Sequence, residues 1–126
     1  MHDVVIVGGG PAGLFAAHFL AAHSDLKVVL IEKGKPPGQR KCTMDHTDRC
    51  SRCQPCDVLC GIGGAGLFSD GKLNFTAKLG KTDLTCFLPP ADAQALIDET
   101  ESIFTSYGMT GQVFPTDMHR AMEIRK

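Results

Sequence analysis

The sequence predicts an α/β fold: the opening of a Rossmann-like, doubly wound parallel sheet, with a cysteine-rich insert at about residues 42–60, between its second strand and a second glycine loop. Three observations predict it. Val4 to Val7 is an unbroken β-branched run, glycines at 8, 10 and 13 lead into a helix-forming stretch, and Lys27 to Glu32 returns to near-continuous Val, Leu and Ile. Apolar runs without alternation are what strands buried on both faces of a parallel sheet look like. Two such runs joined by a helix make the crossover that parallel pairing requires.

The first strand is expected at Val4–Val7 and the helix over residues 12 to 22. Gly13, Ala17, Leu20 and Ala21 would form a small face that lies close to the sheet, with Phe15, Phe19 and Ala22 on a second apolar face. Ser24 and Asp25 make the turn into the second strand. From Gly34 the pattern stops, because Lys35-Pro36-Pro37-Gly38 is a breaker cluster and residues 39 to 60 are polar and rich in Cys, without a period. Gly61 to Gly66 is a second glycine-rich segment, followed by a turn at Ser69-Asp70-Gly71 and a short strand at Leu73–Thr76. A later helix takes Asp92 as its N-cap, places Leu96, Thr100, Ile103, Phe104 and Tyr107 on one face, and stops at Gly108. A last helix is expected after Thr116, with Met118, Ala121 and Met122 inward.

At 126 residues the chain has room for one domain with a real core, but is short for a complete dinucleotide-dependent enzyme. Lys and Arg number 13 against 14 Asp and Glu, so no basic stripe points to nucleic acid as a partner. The apolar runs are too short to span a bilayer, and no basic region precedes Val4, so no secretory signal is expected. A cytoplasmic location is expected, and there the six Cys read as metal-binding, redox-active or reduced rather than as a disulfide scaffold.

Gly8, Gly10 and Gly13 fit G-x-G-x-x-G between a strand and a helix, with Glu32 lying 19 positions past Gly13. In that context Gly8 permits the tight turn, Gly10 lets the backbone approach a pyrophosphate, and Gly13 lets the helix pack closely. The helix N-terminus offers N–H groups and partial positive charge to that diphosphate. Glu32 would accept from the adenosine ribose hydroxyls and repel a 2′-phosphate. FAD and NAD place the same adenosine diphosphate on this turn, so the motif does not choose between them.

Val4 through Gly34, with the Pro11-Ala12 pair inside the glycines and the Glu32-Lys33-Gly34 ending, resembles the FAD-binding motif of the two-dinucleotide-binding-domain flavoproteins. The run LCGIGGAGLFSDGKLN, Leu59 to Asn74, resembles the FAD-dependent dehydrogenases described as NAD(FAD)-utilising. The resemblance implies an FAD-dependent oxidoreductase whose remainder lies beyond residue 126, oxidising a small-molecule substrate by hydride transfer through flavin N5, with NAD(P)H as a co-substrate. It also implies that Gly63, Gly64, Ala65 and Gly66 pass under the cofactor and that Ser69, Asp70 and Lys72 lie near its ring system. A cation there, Lys72, would stabilise the anionic reduced flavin. A plain surface turn is the alternative for Ser69-Asp70-Gly71.

Cys50, Cys53, Cys56 and Cys60 spell C-x2-C-x2-C-x3-C, the spacing of an iron–sulfur ligand set, although Gly61 stands where that pattern usually has Pro. Cys42 or Cys86 could replace the fourth ligand. Zinc with Cys42 or His46, a redox dithiol at Cys60, and unpaired reduced thiols remain open. Two further functional readings stand beside the flavin enzyme: an NAD-binding dehydrogenase domain, and an electron-transfer module in which the cysteines matter most. His18 and His23 are read as solvated or capping, His2 and His119 lack companions, Met118 and Met122 are core, and Arg40 is only a weak signal for a phosphate contact.

Overall fold

The computed structural model describes residues 1–111, which excludes the helix expected after Thr116 with Met118, Ala121 and Met122. The chain divides into two compact units, one spanning Met1–Lys72 and the other beginning at Leu73. The sequence carries no linker signal at that division.

In the first unit, β1 (Val4–Val7) and β2 (Val28–Ile31) pair in parallel with Val4 opposite Val28 and Val7 opposite Ile31. The ladder is bracketed at both ends. Asp3 accepts from the Lys27 amide at 2.8 Å where the strands begin, and the Gly8 amide donates to the Ile31 carbonyl at 2.8 Å where they end. Between them α1 (Pro11–His23) completes the βαβ unit.

Pro11 holds the first helical position of α1, where its fixed φ suits the helix and its missing N–H costs nothing. The helix closes at Ser24, whose hydroxyl donates to the Leu20 carbonyl at 2.6 Å. His23 takes a capping role: its Nδ1 donates to the Phe19 carbonyl at 3.0 Å, and its ring stacks on that of Phe19 at 4.4 Å. Gly13, Ala17 and Leu20 are half-buried, as expected of the face toward the sheet, whereas Ala21 is exposed. Gly13 is where the approach is tightest. A Cβ there would lie 2.0 Å from the Gly8 carbonyl oxygen.

The strands depart from expectation in one respect. Val4 and Ile6 are half-buried, but Val5 and Val7 are 56% and 82% exposed and Ile31 is 54% exposed. One helix covers one face of a two-stranded sheet, and no second element of this unit covers the other. Beyond β2 this unit is irregular apart from three 3-10 turns, Pro37–Gln39, Thr43–Asp45 and Gly64–Phe68.

The second unit holds a hairpin, β3 (Lys78–Leu79) with β4 (Thr82–Asp83), turning at Gly80 and bridged by Lys78 and Asp83 at 3.0 Å. The strand expected at Leu73–Thr76 does not form. Phe75 instead meets Phe104 edge-on at 6.2 Å, and the Thr76 hydroxyl bonds the Lys78 backbone, so this segment serves the following turn rather than a ladder. The helix α2 runs Pro90–Ser106 with Pro89 as its N-cap, three residues ahead of the expected cap at Asp92. Pro90 at the first helical position sets the beginning, and Asp92 falls in the first turn, where its charge suits the dipole. Its covered stripe is Ala93, Ile97, Thr100, Ile103 and Phe104, while Leu96 and Tyr107, expected inward, are 49% and 75% exposed. The helix packs on the turn Leu84–Cys86. The chain leaves the helix at Gly108 with φ of 91°, as its position predicts.

The glycines of the first unit separate into those that packing requires and those it does not. Gly13→Ala is expected to lower stability by about 1–3 kcal/mol, the usual cost of overpacking. Gly38→Ala, where an added Cβ meets nothing within 4 Å, should stay within about 0.5 kcal/mol. Denaturant melts of the two variants measure the difference.

Candidate functional site

The parallel register carries Glu32 to the turn that follows β1. Because Ile31 pairs with Val7, the next residue on β2 lies beside Gly8 and Gly9. The Glu32 carboxylate accepts three backbone N–H groups: Gly9 on Oε2 at 2.7 Å, Gly34 on Oε1 at 2.8 Å and Gly61 on Oε1 at 2.9 Å. These amides belong to the first glycine turn, the exit from β2 and the second glycine segment. Hydrogen bonding to the charged form, first from Gly9 and then from Gly34, holds the carboxyl below the usual glutamate range against the opposing effect of desolvation. A carboxylate offers about four acceptor positions, so one on Oε2 is left for a further donor.

The second glycine segment is also held through direct backbone bonds. The Gly63 amide donates to the Gly9 carbonyl at 2.8 Å, and the Ile62 amide reaches the Lys35 carbonyl at 3.3 Å. Approach is close throughout: a Cβ on Gly34 would lie 2.4 Å from the Gly61 nitrogen, and one on Gly64 would lie 3.3 Å from the Pro11 ring. Gly63 itself has φ of 90°, which favours glycine. The sequence therefore brings Gly8–Gly13, Glu32 and Gly61–Gly64 to one place.

Arg40 is what fixes the second segment there. Its side chain is 6% exposed, with Nε donating to the Asp57 carbonyl at 2.8 Å, Nη1 to Ile62 at 2.9 Å and Nη2 to Val58 at 2.8 Å. The guanidinium also lies over the Phe68 ring at 4.9 Å. The weak signal that Arg40 gave for a phosphate contact is not what the structure uses, since its donors are turned to protein carbonyls. Asp57, which sequence reasoning missed, receives the Lys35 ammonium at 2.7 Å, and that hydrogen bond holds its carboxyl below the usual aspartate range. The signal available was an Arg ahead of the cysteine run and an Asp inside it, which is common in loops.

The N-terminus of α1 is open. Gly10 is its N-cap, no side chain caps it, and no acidic residue occupies its first turn. The amides of Ala12 and Gly13 have no carbonyl four residues back within the helix. A Cβ on Gly10 would meet nothing within 4 Å, so the space a diphosphate needs beside this backbone is present. Open amides, a bare Gly10 and a spare Glu32 acceptor together fit the adenosine diphosphate end of a dinucleotide.

Other expected residues lie outside this arrangement. Ala65 and Gly66 are exposed in the turn Gly64–Phe68, and Lys33 is exposed beyond β2. Ser69, Asp70 and Lys72 form an exposed turn, in which the Ser69 hydroxyl donates to the Gly66 carbonyl at 2.7 Å and Lys72 pairs with Asp70 at 2.8 Å. That pairing holds the Asp70 carboxyl below its usual range. Cys50 and Cys53 are exposed, Cys56 and Cys60 half-buried, and all are free thiols. Among the described residues no three His, Cys, Asp or Glu side chains converge as a metal site.

Comparison with known proteins bears on this region. Residues 3–45, which contain β1, α1 and β2, match the profile of the family described as FAD dependent oxidoreductase (DAO). An uncharacterised protein of Clostridium beijerinckii is 41% identical over 75 residues, 59% of this chain and 14% of that protein. A thioredoxin reductase of Listeria monocytogenes is 46% identical over 39 residues, 31% of this chain and 12% of the reductase. A protein of Acanthamoeba polyphaga mimivirus named as a GMC-type oxidoreductase is 50% identical over 32 residues, 25% of this chain and 5% of its own length. This chain thus spans a small part of the relatives it matches. No solved structure matches it. Among the described residues no helix is long and apolar enough to cross a membrane.

A pH dependence follows from the two carboxylates. Glu32 and Asp57 have folded values below their unfolded ones, so their contribution is complete above about pH 4.5 and is lost as pH falls through the folded values. Thermal melts should be level from about pH 7 to about pH 5 and fall below about pH 4. Glu32→Gln should remove part of that acid limb, and an unchanged profile in this variant would refute the role of its charge.

Proposed function

We propose that this chain supplies the cofactor-binding portion of an FAD-dependent dehydrogenase, with FAD held by its adenosine diphosphate across the turn Gly8–Gly13. The observation that carries the reading is the uncapped start of α1 beside Gly10, with Glu32 locked next to it by backbone amides. The DAO profile over residues 3–45 supports FAD as the dinucleotide. When bound, the flavin supplies two-electron hydride chemistry. The protein's own part is to hold the diphosphate on the Gly10, Ala12 and Gly13 amides, to accept a ribose hydroxyl on Glu32 Oε2, and to keep a 2′-phosphate away by charge.

The enzyme is proposed to be cytoplasmic and to act on a small-molecule substrate, with NAD(P)H as co-substrate and its remaining segments outside this sequence. Lys33, Gly63, Gly64, Ala65, Gly66, Ser69, Asp70 and Lys72 belong to the proposed cofactor surface. Of these, Gly63 and Gly64 have the best support, because their backbone already lies against Gly9 and Pro11. A second reading rests on the spacing of Cys50, Cys53, Cys56 and Cys60, which is proposed to hold an iron–sulfur cluster once the loop folds around it.

The absorbance spectrum of the complete, anaerobically purified protein tests both. Flavin bands are expected, and extraction of NAD alone would replace the reading by that of an NAD-binding dehydrogenase. Iron and acid-labile sulfide at background would remove the cluster. Gly10→Ala, whose backbone φ of −76° suits any residue, should fold normally and lose flavin affinity by about tenfold or more, since its methyl occupies the open approach. Full flavin content in that variant would overturn the placement.

A further inference from the structure

Arg40 reaches the nucleotide turn without touching it. Its Nη1 donates to the Ile62 carbonyl at 2.9 Å. That carbonyl shares one planar peptide with the Gly63 N–H, which donates to the Gly9 carbonyl at 2.8 Å. The Gly9 carbonyl in turn shares its peptide with the Gly10 N–H. Two peptide planes in series therefore join the guanidinium to the Gly10 amide. A trans peptide directs its N–H opposite its C=O, and the cis bond among the described residues is Gln54-Pro55, so the Gly10 amide faces away from Gly63. It has no partner among the described residues. A Cβ on Gly10 would meet nothing within 4 Å, so the space beside it is open.

We propose that Arg40 is a positioning residue for the bound diphosphate, aiming and strengthening the Gly10 N–H as a phosphate donor through the peptides 62–63 and 9–10. The inference rests on the dinucleotide reading given above. Hydrogen bonds in series polarise one another, and here the polarity has one sense. A cation pulling on the Ile62 oxygen makes the Gly63 N–H a stronger donor, which pulls on the Gly9 oxygen and leaves the Gly10 N–H more positive. That sense favours an anion. Burial to 6% exposure keeps solvent from screening the guanidinium, and the Asp57 carboxylate is engaged by Lys35 while Arg40 bonds only main-chain oxygens. The same contacts fix the direction of the amide, because Nη1 and the Gly9 carbonyl grip opposite edges of one peptide.

The phosphate is what separates this role from a strut that merely holds the fold. Arg40→Gln and Arg40→Lys in the complete protein are titrated calorimetrically with ADP and with adenosine. ADP affinity is expected to fall about two- to fivefold in the Gln variant, because the Gly10 N–H is weakened and less well aimed rather than removed, and by less in the Lys variant. Adenosine affinity should stay within about twofold of wild type. In the ligand-free protein with labelled glycine, the Gly10 amide proton resonance should move upfield in the Gln variant. Equal losses for ADP and adenosine, or no loss for either, would overturn the proposal while leaving the dinucleotide reading intact. A wild-type protein that binds no ADP would overturn both. Should the Gln variant not fold, the Lys variant carries the same comparison.

Discussion

The carboxylate of Glu32 is the point at which three separate backbone segments meet, and their mutual placement depends on it. It takes amides from Gly9, Gly34 and Gly61 at 2.7 to 2.9 Å, so the first turn, the end of β2 and the second glycine segment share one acceptor. Hydrogen bonds to an ionised acceptor are stronger than neutral ones, and each of these amides would otherwise lack a partner in a partly buried place. The position is a consequence of parallel pairing. With Val7 opposite Ile31, the residue that follows β2 cannot avoid the turn that follows β1.

Around that acceptor, close backbone approach does what side chains do elsewhere. Gly13 has no room for a methyl group because the Gly8 carbonyl lies under it, and Gly34 has none because Gly61 does. Gly10 is different in kind. Its surroundings are open, so packing within the fold does not call for the absence of a side chain there.

The βαβ unit was legible because continuous β-branched runs and a helix-period stretch each leave a mark on the sequence. The strand Val4–Val7 matches to the residue. What the pattern could not say is whether both faces of the sheet would be covered, since that depends on elements packed against it, and Val5 and Val7 are in fact exposed. The start of α2 was misplaced because Asp92 is a good cap by type, while Pro90 fixes the first turn by covalent geometry. Glu32 was legible as an acid at the right spacing, but its three amide partners were not, because main-chain donors leave no residue signature. Arg40 was discounted for the same reason: all three of its acceptors are carbonyls, and no complementary acid marks them in the sequence.

The family profile ends at residue 45, yet the bonds of the first turn continue past it. Arg40 holds the Asp57 and Val58 carbonyls, and the Lys41 amide reaches the Asp57 carboxylate at 3.5 Å, so residues on either side of the cysteine-bearing loop are drawn together at its base. Loops closed in this way keep their ends fixed while their tips vary. Cys50 and Cys53 lie on the exposed part, and Cys56 and Cys60 lie near the closed base, where the Cys60 amide donates to the Cys56 carbonyl at 2.8 Å. One residue beyond Cys60 is Gly61, whose amide is on Glu32. The loop is therefore part of the glycine turn's own architecture: remove its base, and Glu32 loses one of its three donors and Gly9 the partner of its carbonyl.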